Sequence, residues 1–209
     1  STAEAGDVAA ARKRPKPGER RIQILQALAA MLEQPGAERI TTAALAARLS
    51  VSEAALYRHF ASKAQMFEGL IDFIEQSVFT LVQQITWRDV PDPAQPADAG
   101  ARQAARIVAL VLQFGERNPG MVRVMVGDAL VFEHERLQQR MNQFFDRIES
   151  TLRQCLRATT ATSSTPTVDA QVAASVLTAF VVGRLQGYAR SGFRRLPTEH
   201  LDASLAMLL

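Results

Sequence analysis

Residues 39 to 63, RITTAALAARLSVSEAALYRHFASK, constrain the fold more tightly than any other part of the chain. Thr41 and Thr42 precede a short segment that can turn Leu45, Ala46 and Leu49 inward. Hydroxyls at a helix start accept from the unpaired amides of the first turn, so a short helix is expected there. Ser50, Val51 and Ser52 break it. Ser52 is placed to cap a second short helix, with Glu53 complementing the positive end of its dipole and Leu56 and Phe60 on the buried side. Ala61 and Ser62 close that helix, Ser62 can cap again, and Lys63 opens a much longer one. Cap, helix, turn, cap, helix and long-helix start in one run predict a helix-turn-helix, a unit whose second helix can enter the major groove of a duplex.

The remaining pattern is helical throughout. Residues 1 to 17 hold Arg12, Lys13, Arg14 and Lys16 with two prolines and no apolar periodicity, which predicts a disordered basic arm. From Glu19, the residues Ile22, Leu25, Ala29 and Leu32 recur at helical spacing until Pro35-Gly36. Met66, Phe67, Leu70, Ile71, Ile74 and Val78 continue the long helix from Lys63 to about Ile85. Trp87 to Gly100, with Pro91, Pro93 and Pro96, is expected to be a loop. Residues 101 to 115 predict a buried helix, and Asn118-Pro119-Gly120 breaks the chain before Met121 to Val126 and a long helix from about Asp128 to Ala158. The run Thr159 to Thr167 interrupts again, Asp169 to Arg190 predicts another helix, and Pro197 starts a last one. No strand pattern or internal repeat occurs. The expected fold is all-α: a helix-turn-helix DNA-binding domain over residues 18–63 and a helical dimerisation and partner-binding domain over 64–209.

Composition narrows the function classes. The chain of 209 residues is 47% hydrophobic, enough for a sizeable helical core. Its net charge of +3 is uneven: residues 1 to 63 hold ten Lys/Arg against six Asp/Glu, the rest fourteen against fifteen. A basic N-terminal portion suits phosphate binding, as it also suits a merely solvated tail. Ser1 to Gly18 is polar and basic without an apolar segment, so cytoplasmic residence is expected. The most apolar stretch, around Val176 to Gly183, is shorter than a bilayer span and ends at Arg184, so no membrane insertion is expected. Cys155 is the only cysteine, which leaves no disulfide or thiolate zinc site, and packing is its expected role. His59, His134 and His200 are scattered, no glycine-rich phosphate loop is present, and Glu133 and Glu135 read as a solvated helix face. Neither an enzyme nor a metal or other cofactor is expected.

Within the helix-turn-helix, Ser52, Ala54, Ala55 and Tyr57 form an outward face whose small side chains permit close approach to base edges and thymine methyls. Thr41, Thr42, Tyr57, His59 and Lys63 can donate to phosphates, and Arg20 and Arg21 can add backbone or minor-groove contacts. Thr41 and Ser52 would be caps in any case, and Tyr57 could simply cover the core. From Ile40 to Lys63, and above all in SEAALYRHF at 52 to 60 followed by Ser62-Lys63, the sequence resembles the TetR family of transcriptional regulators. Ser50 replaces the glycine usual at that turn, and Ala44 lacks a basic side chain found in close relatives. Further segments, MFEGLIDFIEQS at 66 to 77, FGERNPG at 114 to 120 and ALVFEHERLQQRMNQFFDRIES at 129 to 150, resemble the nucleoid occlusion members of that family.

That resemblance implies a dimer on specific double-stranded DNA that antagonises the tubulin-like division protein FtsZ, so that no septum forms over the nucleoid. It also implies that Phe73, Leu110, Arg117 and Asn118 belong to the groove where FtsZ docks, with Leu81 standing where a relative can carry a basic residue. An ordinary cap and turn is the plainer account of Arg117-Asn118. For the homodimer contact, Ala179, Gly183 and Gly187 recur every four residues as a strip of small side chains on which a second helix can pack. Phe144 and Ile148, in the helix with Leu137, Met141 and Leu152, are expected beside them, although packing within one subunit would use the same residues. The competing function is a repressor that responds to a small molecule held among Met121, Met125, Met141 and Phe145; core packing is the simpler role for those four, and no such ligand is expected.

Overall fold

Helix α1 (Glu19–Leu32) buries Ile24, Leu28 and Leu32, whereas Ile22 is 57% exposed. The inward stripe is therefore rotated from the one expected. The computed structural model describes residues 15–16, 18–34, 39–88, 94 and 96–209; the expected arm apart from Pro15 and Lys16, the Pro35-Gly36 stop and residues 89–93 and 95 of the proline-rich segment lie outside the described residues. Thr41 is extended and accepts from the amide of Ala44 at 3.1 Å, starting α2 (Thr42–Leu49). Ser52 accepts from Ala55 at 3.2 Å and starts α3 (Glu53–Tyr57). Between them Ser50 adopts φ 55° and ψ 43°, the left-handed conformation that a non-glycine residue holds at a cost of about 1–2 kcal/mol. Helix α3 ends at Tyr57, earlier than expected, because the amides of His59 and Phe60 both turn back to the Leu56 carbonyl. Ser62 then accepts from Gln65, whose side chain accepts from Ala61, a reciprocal cap on α4 (Lys63–Arg88).

Four helix starts after α4 differ from the expected ones. Helix α5 (Pro96–Arg117) begins inside the presumed loop, because proline at the first position sacrifices no hydrogen bond and presets φ. After α6 (Pro119–Met125) the chain reverses at Gly127, φ 88°, makes a single 3-10 turn (Asp128–Leu130), and reaches α7 (Glu135–Leu156) only where His134 Nδ1 accepts from the amide of Arg136. The single long helix expected from Asp128 is thus a turn, a loop and a helix. Helix α8 (Pro166–Arg190) starts three residues before the expected Asp169, again on a proline, the short α9 (Leu201–Leu208) starts four residues after the expected Pro197, and no strand occurs among the described residues.

Helices α4, α5, α7 and α8 form a bundle, and α1 rests on α6 as well as on α2 and α4. One continuous core runs from Ile24 and Leu28 through Phe67, Ile71, Ile107, Val111, Met141 and Ile148 to Leu177 and Leu185. Fully burying each such side chain contributes about 1.5–3 kcal/mol. Helix α7 grips α4 along its length: Arg136 pairs with Glu68, Arg140 reaches Asp72 and Glu75 at 2.8 Å each, and the Arg147 guanidinium lies 3.8 Å from the centre of the Phe79 ring.

The expected dimer contacts separate into two groups. Phe144 and Ile148 are 2% and 0% exposed, and Phe144 meets Phe79 and Phe145 edge-on at 5.3 and 5.1 Å, so both are core residues of one subunit rather than interface residues. Ala179 and Gly183 lie open on α8 with Gly187 half-buried, and Val168, Val172 and Val176 extend the same side. Helix α8 is longer than the short apolar stretch expected around Val176 to Gly183: its most apolar 18 residues have a mean hydropathy of 1.4, a length and composition shared by bilayer spans and by core helices of soluble proteins. Its inner side is packed against α5, α6 and α7.

Candidate nucleic-acid interface

The turn between α2 and α3 is braced by side chains. Thr42 donates to the Glu53 carboxylate at 3.0 Å and accepts from the Tyr57 hydroxyl at 3.5 Å, tying the start of one helix to both ends of the next. The Thr42 proton is thereby committed to Glu53, which makes Thr42 a structural brace rather than the phosphate donor expected from its position. Ser52, Ala54 and Tyr57 are exposed on the outer side of α3, Ala55 is half-buried, and Leu56 and Phe60 anchor the inner side. Thr41, exposed at the helix start, uses its oxygen as a cap acceptor, a role that does not consume its hydroxyl proton.

Beside α3 a cleft of about 610 Å³ is lined by Pro15, Lys16, Arg20, Ile24, Val51, Ala55, Leu56, Arg58 and His59. Four of these carry basic side chains and none is acidic, so the potential favours a polyanion. Arg21 is held differently: its guanidinium stacks 4.3 Å from the centre of the Phe60 ring and reaches the His59 carbonyl at 3.5 Å, fixing α1 to the end of α3. Arg58 was missed in the sequence. Its signal was its place beside His59 at the end of the reading helix, and the cleft brings it to Arg20 and Lys16 across a gap of nearly forty positions. Lys63 departs from expectation: its ammonium lies 2.6 Å from Glu133, whose side chain is only 7% exposed, so the cation points into the protein. Glu133, read as part of a solvated face, is accordingly a buried partner.

The second predicted constellation lies between α4 and α5. The ring of Phe73, 45% exposed, sits 6.1 Å from that of Phe114, and Leu110 and Arg117 flank Phe114 one turn to either side along α5. Asn118 precedes α6 without capping it; its amide donates instead to the Phe114 carbonyl at 2.8 Å and tightens the end of α5. The result is an apolar strip ending in an exposed arginine, the type of surface that accepts a peptide with hydrophobic and acidic side chains. Among the described residues no group of acidic, histidine and cysteine side chains is arranged to hold a metal. Burial pushes the Cys155 thiol up to about 11, a poor nucleophile at neutral pH.

A braced helix-turn-helix on a wholly helical body defines a DNA-binding regulator. Residues 24–70 match the family of bacterial regulatory proteins of the tetR type, and residues 101–209 match the tetracyclin repressor-like C-terminal domain of the SlmA-like kind. The chain is 50% identical over 185 residues to the nucleoid occlusion factor SlmA of Idiomarina loihiensis and of Photobacterium profundum, covering 88% of this chain and 90% of each relative. The Salmonella typhi SlmA is 49% identical over 186 residues, with the same coverage. The TetR-family regulator PfmR of Thermus thermophilus shares the fold, with a TM-score of 0.66 at 21% identity over 90% of this chain and 97% of that one. A putative TetR-family regulator from Mesorhizobium loti does so with a TM-score of 0.62 at 19% identity, over 94% and 98%. The chain belongs to the TetR family of DNA-binding regulators, and within it to the nucleoid occlusion factors; it is not an enzyme.

Proposed function

We propose that this protein, as a homodimer on specific chromosomal duplexes, antagonises FtsZ assembly so that the division septum does not form over the nucleoid, with which it associates in the cytoplasm. The observation that carries this reading is the 49–50% identity to SlmA proteins over 88% of this chain and 90% of each relative. On the DNA side, Ser52, Ala54, Ala55 and Tyr57 face base edges, while Thr41, His59, Arg58, Arg20 and Arg21 hold phosphates. The α4–α5 groove, with Phe73, Leu110, Phe114, Arg117 and Asn118, takes a segment of FtsZ. The strip of Ala179, Gly183 and Gly187 packs on its two-fold mate.

The competing ligand-responsive repressor would require α4 to swing when a small molecule enters the core. The ladder of Arg136, Arg140 and Arg147 along α4 opposes that motion, and Met121, Met125 and Met141 are themselves buried core. The deciding experiment is sedimentation of GTP-assembled FtsZ with this protein and either its selected duplex or a scrambled one at matched salt. Loss of pelleted filaments with the selected duplex alone is expected, and Arg117→Ala abolishes that loss while retaining the duplex. Filaments unchanged under every condition, with DNA still bound, refute the reading.

A further inference from the structure

Glu133 lies in the loop between the 3-10 turn and α7, seventy residues from the nearest part of the reading head in sequence, yet its side chain is 7% exposed and meets that head twice. Lys63 Nζ, at the first position of α4, is 2.6 Å away, and Arg39 Nε, just before the α2 cap, is 3.9 Å away. A cation at a helix start opposes the dipole, and a carboxylate so deeply placed needs a partner, so each group holds the other in place. The segment just before that loop carries a second tie: Arg123 in α6 pairs with Asp128 of the 3-10 turn at 3.3 Å and donates to the Leu32 carbonyl at 3.2 Å, closing the end of α1. The ends of α1 and the starts of α2 and α4 are thus referred to one short segment of the body, around a small cavity of about 120 Å³ lined by Leu32, Arg39, Phe67, Arg123, Phe132 and Glu133.

We infer that Glu133 is a positioning residue for DNA recognition: through Lys63 and Arg39 it fixes the angle of the reading head on the body, and so the separation at which two heads of a dimer meet their half-sites. It touches no nucleic acid itself. The inference rests on DNA binding by this head and adds what sets the head's orientation. Removing one charge from the pair leaves the other buried and unmatched, which loosens the tie between head and body.

The test compares the full-length wild type with Glu133→Gln on two duplexes: the palindrome that the wild type enriches from a random library, and the same palindrome with two base pairs inserted between its half-sites. The ratio of the two affinities is the readout, because the loss of one negative charge in the variant strengthens binding to both duplexes alike. We expect the ratio to fall by about tenfold in Glu133→Gln and to recover in Glu133→Asp. An unchanged ratio overturns the inference, including where the melting temperature falls, since a purely structural pair would lower stability without altering spacing discrimination. Should Glu133→Gln not fold, Arg39→Gln, which alters only the more exposed partner, is measured in the same way and carries the same two outcomes. A wild type that enriches no duplex refutes DNA reading itself, a result separate from an unchanged ratio.

Discussion

Gly120, at the start of α6, lies directly against the backbone of α1 in the head. A methyl group built on it would lie 2.1 Å from the Ala29 carbonyl oxygen and 3.0 Å from its carbon, both backbone atoms of α1. Comfortable carbon contacts need about 3.5 Å, so Gly120→Ala must part α1 from α6 by roughly 1 Å. Overpacking costs about 1–3 kcal/mol, and the upper end applies where no side chain can swing aside. Alanine's better helix propensity returns up to about 1 kcal/mol, leaving a net loss near 2 kcal/mol. For a chain of this length that corresponds to a fall in Tm of roughly 4–8 °C, read by circular dichroism on heating. The displaced α1 carries Arg20 and Arg21, so affinity for the selected duplex falls as well. Gly183→Ala provides the contrast: within one protomer its new methyl meets nothing within 4 Å, so any loss appears in the dimer equilibrium, followed by sedimentation velocity. A Gly120→Ala protein melting within about 1 °C of wild type and binding DNA equally well would refute this account of the head–body contact.

Three further outcomes follow from single positions. Phe144→Ala should lower stability by about 3–5 kcal/mol in chemical denaturation while leaving the dimer dissociation constant unchanged, since the ring lies within one subunit. Ser50→Gly should raise stability by up to about 1 kcal/mol, because glycine adopts the left-handed conformation at Ser50 without strain; a drop would show that the serine side chain matters more than its φ. Cys155 holds its proton more tightly folded than unfolded, so its contribution to stability is complete below the ordinary thiol value of 9.0 and is lost as pH rises toward about 11. A disulfide reagent at pH 8 should therefore label it only after denaturant is added, and rapid labelling of the native protein would contradict that burial.

What the sequence showed and what it hid divide along physical lines. Caps and apolar spacing act within a few residues, so Thr41, Ser52, Leu56 and Phe60 could be placed from the sequence. The start of α5 at Pro96 was hidden because a proline cluster suggests a loop whether or not its last member opens a helix. Glu133 and Lys63 were misassigned for a different reason. Their burial depends on a loop crossing from the body to the head, a contact between distant residues that no local pattern records. Phe144 and Ile148 were recognised as apolar and periodic, but periodicity shows only that a helix buries a side, not whether the covering surface is its own subunit or another. Phe73, Leu110, Arg117 and Asn118 were singled out through family resemblance, since their spacing alone is that of ordinary helix surfaces, whereas Phe114, which packs beside Phe73, was not.

The apolar outer side of α8 has a consequence for how such a protein works in a growing cell. Val168, Val172 and Val176 are 45–59% exposed in the single protomer, beside the small-residue strip. Apolar surface left open on one copy makes pairing a matter of mass action. Where protomers are dilute, the concentration of pairs varies as the square of the amount of protein. Occupancy of a symmetric DNA site that admits only pairs then responds more than proportionally to synthesis and to dilution by growth, so the chromosome's marking is a gauge of protein content relative to cell volume.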